Sequence, residues 1–272
     1  MQLDHWQLSS SPFHTALDPR HYYPSASHEE ALARLEYLVD ARRRLGVVLG
    51  EAGIGKSLIF RVAAERLVRN GAAVAVVDAA GVGSREFLWQ LAAAMGTAPR
   101  DSADTVHLWR LVTDRLAENR LQQTGTVLLV DDAGQAGPDV LLQLARLARL
   151  DTTSDAGWTM VLAGEPTQAG RWNESLRDQV DLRIDLEPWS EADTLGFIQT
   201  ALVDAGRFDP VFDHDGLLAI YERTGGNPRH VARLADLALI AGAASSVERI
   251  DAKTVHAAHH EMAWPELEVA ER

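Results

Sequence analysis

Five short apolar runs divide the first two thirds of the chain. They are "LGVVLG" (45–50), "AVAVVDA" (73–79), "TVLLVD" (126–131), "WTMVLAG" (158–164) and "LRIDL" (182–186). A run of four to seven residues that is apolar throughout, without alternation, suits a strand buried on both faces. The stretches between them carry helical spacing. Helices are expected at 56–70, closed by Gly71, and at 84–95 and 104–122. In the last of these Val106, Trp109, Val112 and Leu116 share a face. The segment 138–150 is apolar nearly all round, so it is buried or meets a partner. Strands alternating with helices imply an α/β fold: a five-stranded parallel sheet sandwiched between helical layers.

After Pro188 the strand signals stop. Helices are expected at 190–205, where Ser190 and Asp193 form a capping box, and at 212–223, 228–241 and 252–262. This reads as a separate all-helical module. The last residues, "PELEVAER", read as a disordered acidic tail. At the other end, residues 1–26 are irregular. Ser27 with Glu30 suggests a capping box, opening a helix over 28–44 that ends on Arg42, Arg43 and Arg44. Two readings of the triplet compete. Cations suit a helix C-terminus, which is the preferred reading, and they also suit a nucleic-acid patch. The expected division is 1–187 for the sandwich, 188–263 for the helical module and 264–272 for the tail.

Composition excludes several classes. With 46% hydrophobic and 24% charged residues the chain is globular rather than disordered. No apolar run approaches the roughly 20 residues of a membrane span. The N-terminus has neither the basic nor the apolar region of a secretory signal. Cysteine is absent, which excludes disulfides and thiolate metal sites and fits a cytoplasmic protein. The net charge of −13 disfavours DNA as a partner, although a local basic patch is compatible with it. Of 26 basic residues only Lys56 and Lys253 are lysines. A lysine is a compact point charge and arginine a planar fork, so Lys56 stands out against the arginine background.

Lys56 lies in "GEAGIGKS" (50–57): Gly50, Glu51, Ala52, Gly53, Ile54, Gly55, Lys56 and Ser57. This matches G-x-x-x-x-G-K-[ST] without deviation, after an expected strand and before an expected helix. Gly50, Gly53 and Gly55 are able to take positive φ, so backbone N–H groups can turn inward as an anion nest. The helix N-terminus, through Leu58, adds a positive dipole end. Lys56 reaches outer phosphates, and Ser57 offers a hydroxyl to Mg²⁺. The motif speaks for a nucleoside triphosphate and is silent on the base.

The third strand ends in "VLLVDDAG" (127–134). In a phosphate-loop protein an acid at the end of a neighbouring strand serves the Mg²⁺ shell, and Asp131 is placed for it. Asp132 can orient and polarise a water for in-line attack. The alternative for Asp132 is a turn residue.

These residues resemble an AAA+ ATPase, a P-loop NTPase with an αβα sandwich and a C-terminal helical lid. More narrowly the chain resembles the general secretion pathway protein A (ExeA/GspA-like) family, related to transposition ATPases of the TniB and MuB type. The resemblance covers roughly 13–262. It rests on "DPRHYYPSASHEEALARLEYLV", "GEAGIGKS", "VLLVDDAG", "VLAGEP" and "GGNPRHVARLADLAL". It implies ATP and Mg²⁺ at the junction of sandwich and lid, with hydrolysis coupled to assembly or to switching a protein partner. Lys56 and Ser57 become the phosphate-loop lysine and magnesium ligand, and Asp131 the Walker B aspartate. Asp132 stands where most relatives have glutamate. Glu165 stands where a polar sensor residue reads the γ-phosphate, and an acid there departs from the pattern. Arg229 matches the lid arginine called sensor 2. The segment 13–44 is the adenine side, with Tyr23 and His28 against the base. An arginine finger from a neighbouring copy has Arg177 and Arg183 as candidates, while Gln179 occupies the aligned position. A nucleotide-dependent homo-oligomer is therefore an open expectation.

Arg229 has a physical argument of its own. Asn227 is a good N-cap and Pro228 is favoured at the first helical position. Arg229 then sits in the first turn, where a cation opposes the dipole, and a locally unfavourable choice often marks function. His256 and His260, four residues apart, read as a solvated helix face rather than a metal pair. Aspartate at 132 is one methylene shorter than glutamate. A carboxylate misplaced by about 1 Å can cost on the order of 10²-fold in rate. The expectation is slow ATP hydrolysis. Alternatives are a DNA-associated ATPase and a nucleotide-gated module with negligible turnover.

Overall fold

A computed structural model describes residues 2–13, 17–150, 157–170, 172 and 174–262. The expected tail at 264–272 lies outside the described residues. The helices are α1 (Gln2–Trp6), α2 (Ala26–Asp40), α3 (Lys56–Arg69), α4 (Ser84–Ala94), α5 (Thr105–Leu121), α6 (Pro138–Ala148), α7 (Pro166–Ala169), α8 (Glu174–Arg177), α9 (Glu191–Asp204), α10 (His214–Thr224), α11 (Pro228–Ala244) and α12 (Ala252–Met262). The strands are β1 (Leu45–Leu49), β2 (Ala73–Asp78), β3 (Thr126–Asp131), β4 (Trp158–Gly164) and β5 (Leu182–Asp185). They form one sheet in the order β2-β3-β4-β1-β5, with every pair parallel. The described residues divide into two compact units, those within 17–187 and those within 1–16 and 188–272.

In the unit 17–187, burial explains the sequence pattern. The central strands β1 and β4 are buried along their whole length, and so is β3 up to Asp131. The edge strands β2 and β5 are only partly covered. One face of the sheet presents Leu45, Val47, Leu128, Val130, Met160 and Leu162, which pack with α4, α5 and α6. The other presents Val48, Val127, Leu129, Val161 and Ala163, which pack with α2 and α3. The two helical layers are thus fixed by side chains that alternate across the strands.

Several expectations are corrected here. The N-cap of α2 is Ser25, not Ser27, and its hydroxyl accepts from the His28 backbone N–H at 3.4 Å. Ser27 instead donates to the Glu187 carbonyl at 3.3 Å. Two serines two residues apart offer the same cap, and the buried one takes it. The helix ends at Asp40, so the arginine triplet lies beyond it. Arg44 donates to the carbonyls of Ala148 and Leu150 and lies 4.7 Å from the centre of the Trp158 ring. Arg43 pairs with Asp181 at 3.9 Å. These cations tie loops together. In α5, Val106 is 73% exposed, because the buried stripe runs through Leu108, Trp109, Val112 and Leu116. Helix α6 is one-sided, with Val140, Leu144 and Leu147 buried and Leu142 exposed.

The helical unit includes the N-terminal segment, which the sequence reading placed with the sandwich. Trp6 is 2% exposed, and its indole Nε1–H donates to the Leu239 carbonyl of α11 at 2.8 Å. Ser9 donates to the Ala205 carbonyl at 2.8 Å. The Ser190 cap is as expected, its Oγ accepting from the Asp193 N–H at 3.1 Å. Helices α9, α10 and α11 begin at Ser190, Asp213 and Asn227 caps. A single parallel bridge, Phe212 to Ile250, ties the approach to α10 to the approach to α12.

Candidate functional site

Strand β1 stops at Leu49, and residues 50–55 turn into α3 at Lys56. Gly53 (φ 82°) and Gly55 (φ 106°) adopt the left-handed conformation that side chains disfavour. Gly50 does not, contrary to expectation. It is glycine for room: a Cβ there would lie 2.7 Å from Ile54 Cγ2 and 3.0 Å from the Leu186 carbonyl. Ile54 is fully buried and anchors the loop in the core, whereas Glu51 and Ala52 are exposed. Gly55 is the N-cap of α3 and no side chain caps that end. The first-turn N–H groups of α3, at Lys56, Ser57 and Leu58, are the donors such an end presents to an anion.

Lys56 is buried, and its Nζ donates to the carbonyls of Gly50 (2.8 Å) and Glu51 (2.9 Å). The ammonium is thus held over the mouth of its own loop. On the far side of the loop His28 Nε2 lies 3.0 Å from the Ile54 carbonyl. Its ring is buried, and Tyr22 stacks on it at 6.2 Å. Sequence reading set His28 against the base; the structure sets it against the loop's backbone. Tyr23 is partly exposed just before α2, and its carbonyl accepts from the Ser25 N–H at 2.9 Å.

The sheet order separates the loop from the paired aspartates by one strand. Strand β4 lies between β1 and β3. At about 4.8 Å per strand this leaves roughly 10 Å between the two elements, room for a phosphate chain and a cation. Gly50 N–H donates to the Gly164 carbonyl at 3.2 Å, joining the loop to the end of β4. Glu165 follows directly and is the N-cap of the short α7. It therefore sits between the phosphate loop and β3.

Asp131 ends β3 in register with Asp78 of β2. Its Oδ1 accepts from the Asp132 backbone N–H at 3.0 Å. Asp132 itself is left-handed (φ 47°, ψ 31°). Aspartate and asparagine tolerate that conformation better than longer side chains do. Burial raises the proton affinity of the Asp132 carboxyl, and the carboxylates of Asp131 and Asp78 raise it further. Lys56 and a hydrogen bond from Gln135 oppose the shift. Asp78 was missed by the sequence reading. The signal was present, since the second apolar run ends in an acid as the third does. The turn after Asp132 is braced from behind: Trp172 Nε1–H donates to the Ala133 carbonyl at 3.3 Å.

For a nucleotide the fit is good: two left-handed glycines, an uncapped helix end and a buried lysine converge. For Mg²⁺ the fitting pair is the Ser57 hydroxyl at the second position of α3 and the Asp131 carboxylate. Among the described residues no cluster of three or more His, Asp or Glu forms a metal cage. Mg²⁺ in phosphate-loop sites is typically held by few protein groups plus phosphate oxygens and water. His256 Nδ1 lies 3.3 Å from Arg223 Nε, an ordinary helix-face contact.

The remaining candidates are placed but not gathered. Arg177 ends α8, and Gln179 donates to the Ser175 carbonyl. Arg183 pairs with Asp185 at 2.7 Å. In the helical unit Arg229 is exposed in the first turn of α11, where Asn227 accepts from the His230 N–H at 3.4 Å.

Comparison with known proteins agrees with this geometry. Residues 39–171 match the family model described as an AAA domain. That stretch contains the phosphate loop, both aspartates and Glu165. The stretch 39–171 is an AAA domain, set in a P-loop fold. The chain is 29% identical over 247 residues to general secretion pathway protein A of Aeromonas hydrophila, a match covering 89% of the chain and 45% of that relative. It thus spans less than half of the relative's length. Among solved structures, Cdc6p from Pyrobaculum aerophilum superimposes with a TM-score of 0.73 at 18% identity, covering 93% of this chain and 71% of that one. The Aeropyrum pernix ORC1 protein in complex with DNA gives 0.61 at 17% identity, covering 86% and 65%. At such identities these two structures speak for the fold alone.

Proposed function

We propose that this chain binds Mg-ATP at the 50–58 loop and hydrolyses it slowly to switch or assemble a protein partner. The observation that carries the reading is the open anion nest at the start of α3, facing the Asp131–Asp132 turn across one strand. The loop N–H groups and Lys56 bind and orient the triphosphate. Ser57 and Asp131 hold Mg²⁺, which neutralises phosphate charge when bound. Asp132 orients the attacking water and takes its proton, a role helped by its raised proton affinity. Glu165 lies where a sensor of the γ-phosphate would sit. Arg229 is the residue through which the helical unit responds to nucleotide, with 17–187 as the catalytic domain and the helical unit as its lid. Likeness to general secretion pathway protein A favours a protein as the object of the switch.

The test is phosphate release under saturating Mg-ATP. Lys56→Ala is expected to abolish both ATP binding and turnover. If the purified chain releases phosphate no faster than this variant, hydrolysis is wrong. If it also binds ATP no better, the site is wrong. A second reading, a DNA-associated ATPase, draws on the exposed Arg229, His230 and Arg233 of α11. A net charge of −13 opposes it. ATP-dependent duplex binding with a steep salt slope would favour it over the first reading.

A further inference from the structure

We propose that His28 is a positioning residue for the phosphate loop: its Nε2–H holds the Ile54 carbonyl outward and so aims the Gly55 N–H at the nucleotide phosphates. The proposal rests on the nucleotide-binding reading above and adds a role for a residue outside the loop. A carbonyl oxygen only accepts, so the proton in the 3.0 Å contact belongs to His28 Nε2. The peptide joining Ile54 to Gly55 is trans and planar, so its C=O and N–H point in opposite directions. Fixing the carbonyl on His28 therefore directs the Gly55 N–H away from His28. The neighbouring glycines are left-handed, at φ 82° and 106°. This peptide has freedom to turn over, and an inverted carbonyl would face phosphate oxygens instead.

The imidazole is itself enclosed. It is 2% exposed. Tyr22 stacks on it with the ring planes 22° apart. A Cβ at Gly55 would lie 3.1 Å from it, a tight contact, so the ring sits close against the loop. Its own backbone N–H is tied to Ser25 Oγ, which fixes the start of α2. The next residue, Glu29, binds Arg66 of α3 at 2.8 Å and receives the Tyr22 hydroxyl at 2.9 Å. The segment before β1 thus grips both the loop and the helix that the loop opens. An adenine contact through this ring is the competing role.

The two roles separate by ligand. Equilibrium binding of Mg-ATP, Mg-GTP and inorganic tripolyphosphate is measured on the full chain, its His28→Leu variant and its His28→Gln variant. Loss of a buried hydrogen bond should weaken His28→Leu about tenfold. The same factor is expected for all three ligands, because the phosphates are what the loop reads. His28→Gln, whose amide N–H can reach the carbonyl, should recover affinity to within about threefold of the wild type. If His28→Leu does not fold, His28→Asn, polar but too short to reach, takes its place. Unchanged binding in the variant would overturn the proposal while leaving the nucleotide site intact. A loss confined to ATP would overturn it in favour of a base contact. A wild-type chain that binds none of the three would sink the nucleotide-binding reading itself.

Discussion

Asp132 is pulled two ways by its surroundings. Its left-handed backbone suits a short polar side chain, while its carboxylate is crowded by Asp131 and Asp78 and only partly relieved by Lys56. Asparagine keeps the conformation and removes the charge. Asp132→Asn should therefore lower phosphate release at least tenfold while raising the melting temperature of the nucleotide-free protein at pH 7. The sign follows from linkage. A carboxyl whose folded-state proton affinity is raised costs stability wherever it is ionised, above its folded value. That cost disappears below the unfolded value near 3.9. The stability gap between variant and wild type should thus be widest at neutral pH and close as pH falls toward about 4. Melting curves across that range check it. A variant no more stable than wild type at pH 7 would mean the crowding has no energetic consequence. Unchanged turnover would make the second aspartate a turn residue only. The sequence poses the question of an aspartate at 132 and supplies an answer from reach alone. The left-handed backbone adds a second reason, and no local pattern reveals it.

At the scale of elements, what was legible is what repeats locally. The five strands show as apolar runs, and α3 and α9 as helical spacing with caps, within a residue or two at their ends. The phosphate loop was read whole because its chemistry sits in eight consecutive residues. Errors came where the deciding partner is distant in sequence. Ser25 outcompetes Ser27 because it is the buried one, and Arg43 and Arg44 turn away from the helix toward Asp181 and the 148–150 carbonyls. The turn before α11 shows the same dependence. Gly226 has φ 73°, and a Cβ there would run into the Trp189 carbonyl. The Trp189 N–H in turn donates to the Gly226 carbonyl at 2.9 Å. Gly226→Ala combines left-handed strain with a backbone clash, so it should destabilise the helical unit by about 2 kcal/mol or more. Denaturant unfolding measures this. A cost under about 0.5 kcal/mol would show that the loop relaxes and that the close approach is not needed.

The molecule as a whole is two compact units, and the membership of the first residues was the least legible feature of the chain. Residues 2–13 carry no strong periodicity, and proximity in sequence argues for the sandwich. The decisive contact is instead the Trp6 hydrogen bond to Leu239, 233 positions away, together with the fit of its ring against Gly242, where a Cβ would lie 2.8 Å from the indole. Nothing in the local sequence encodes either. A buried tryptophan truncated to alanine typically costs 3–5 kcal/mol. Trp6→Ala should remove about that much from the helical unit, because Trp6 belongs to that unit and packs on its α11. Nucleotide stabilises whichever unit binds it by RT ln(1 + [L]/Kd), and the phosphate loop belongs to the other unit. The variant should therefore show an earlier transition for the helices, while ATP still raises the midpoint of 17–187 through the phosphate loop, by less than in the wild type to the extent that Arg229 adds to binding. Circular dichroism in denaturant, with and without Mg-ATP, separates the two effects. A Trp6→Ala protein that unfolds like wild type would place the N-terminal segment outside the helical core. One that folds but loses the ATP response would show that the units do not hold their stability independently.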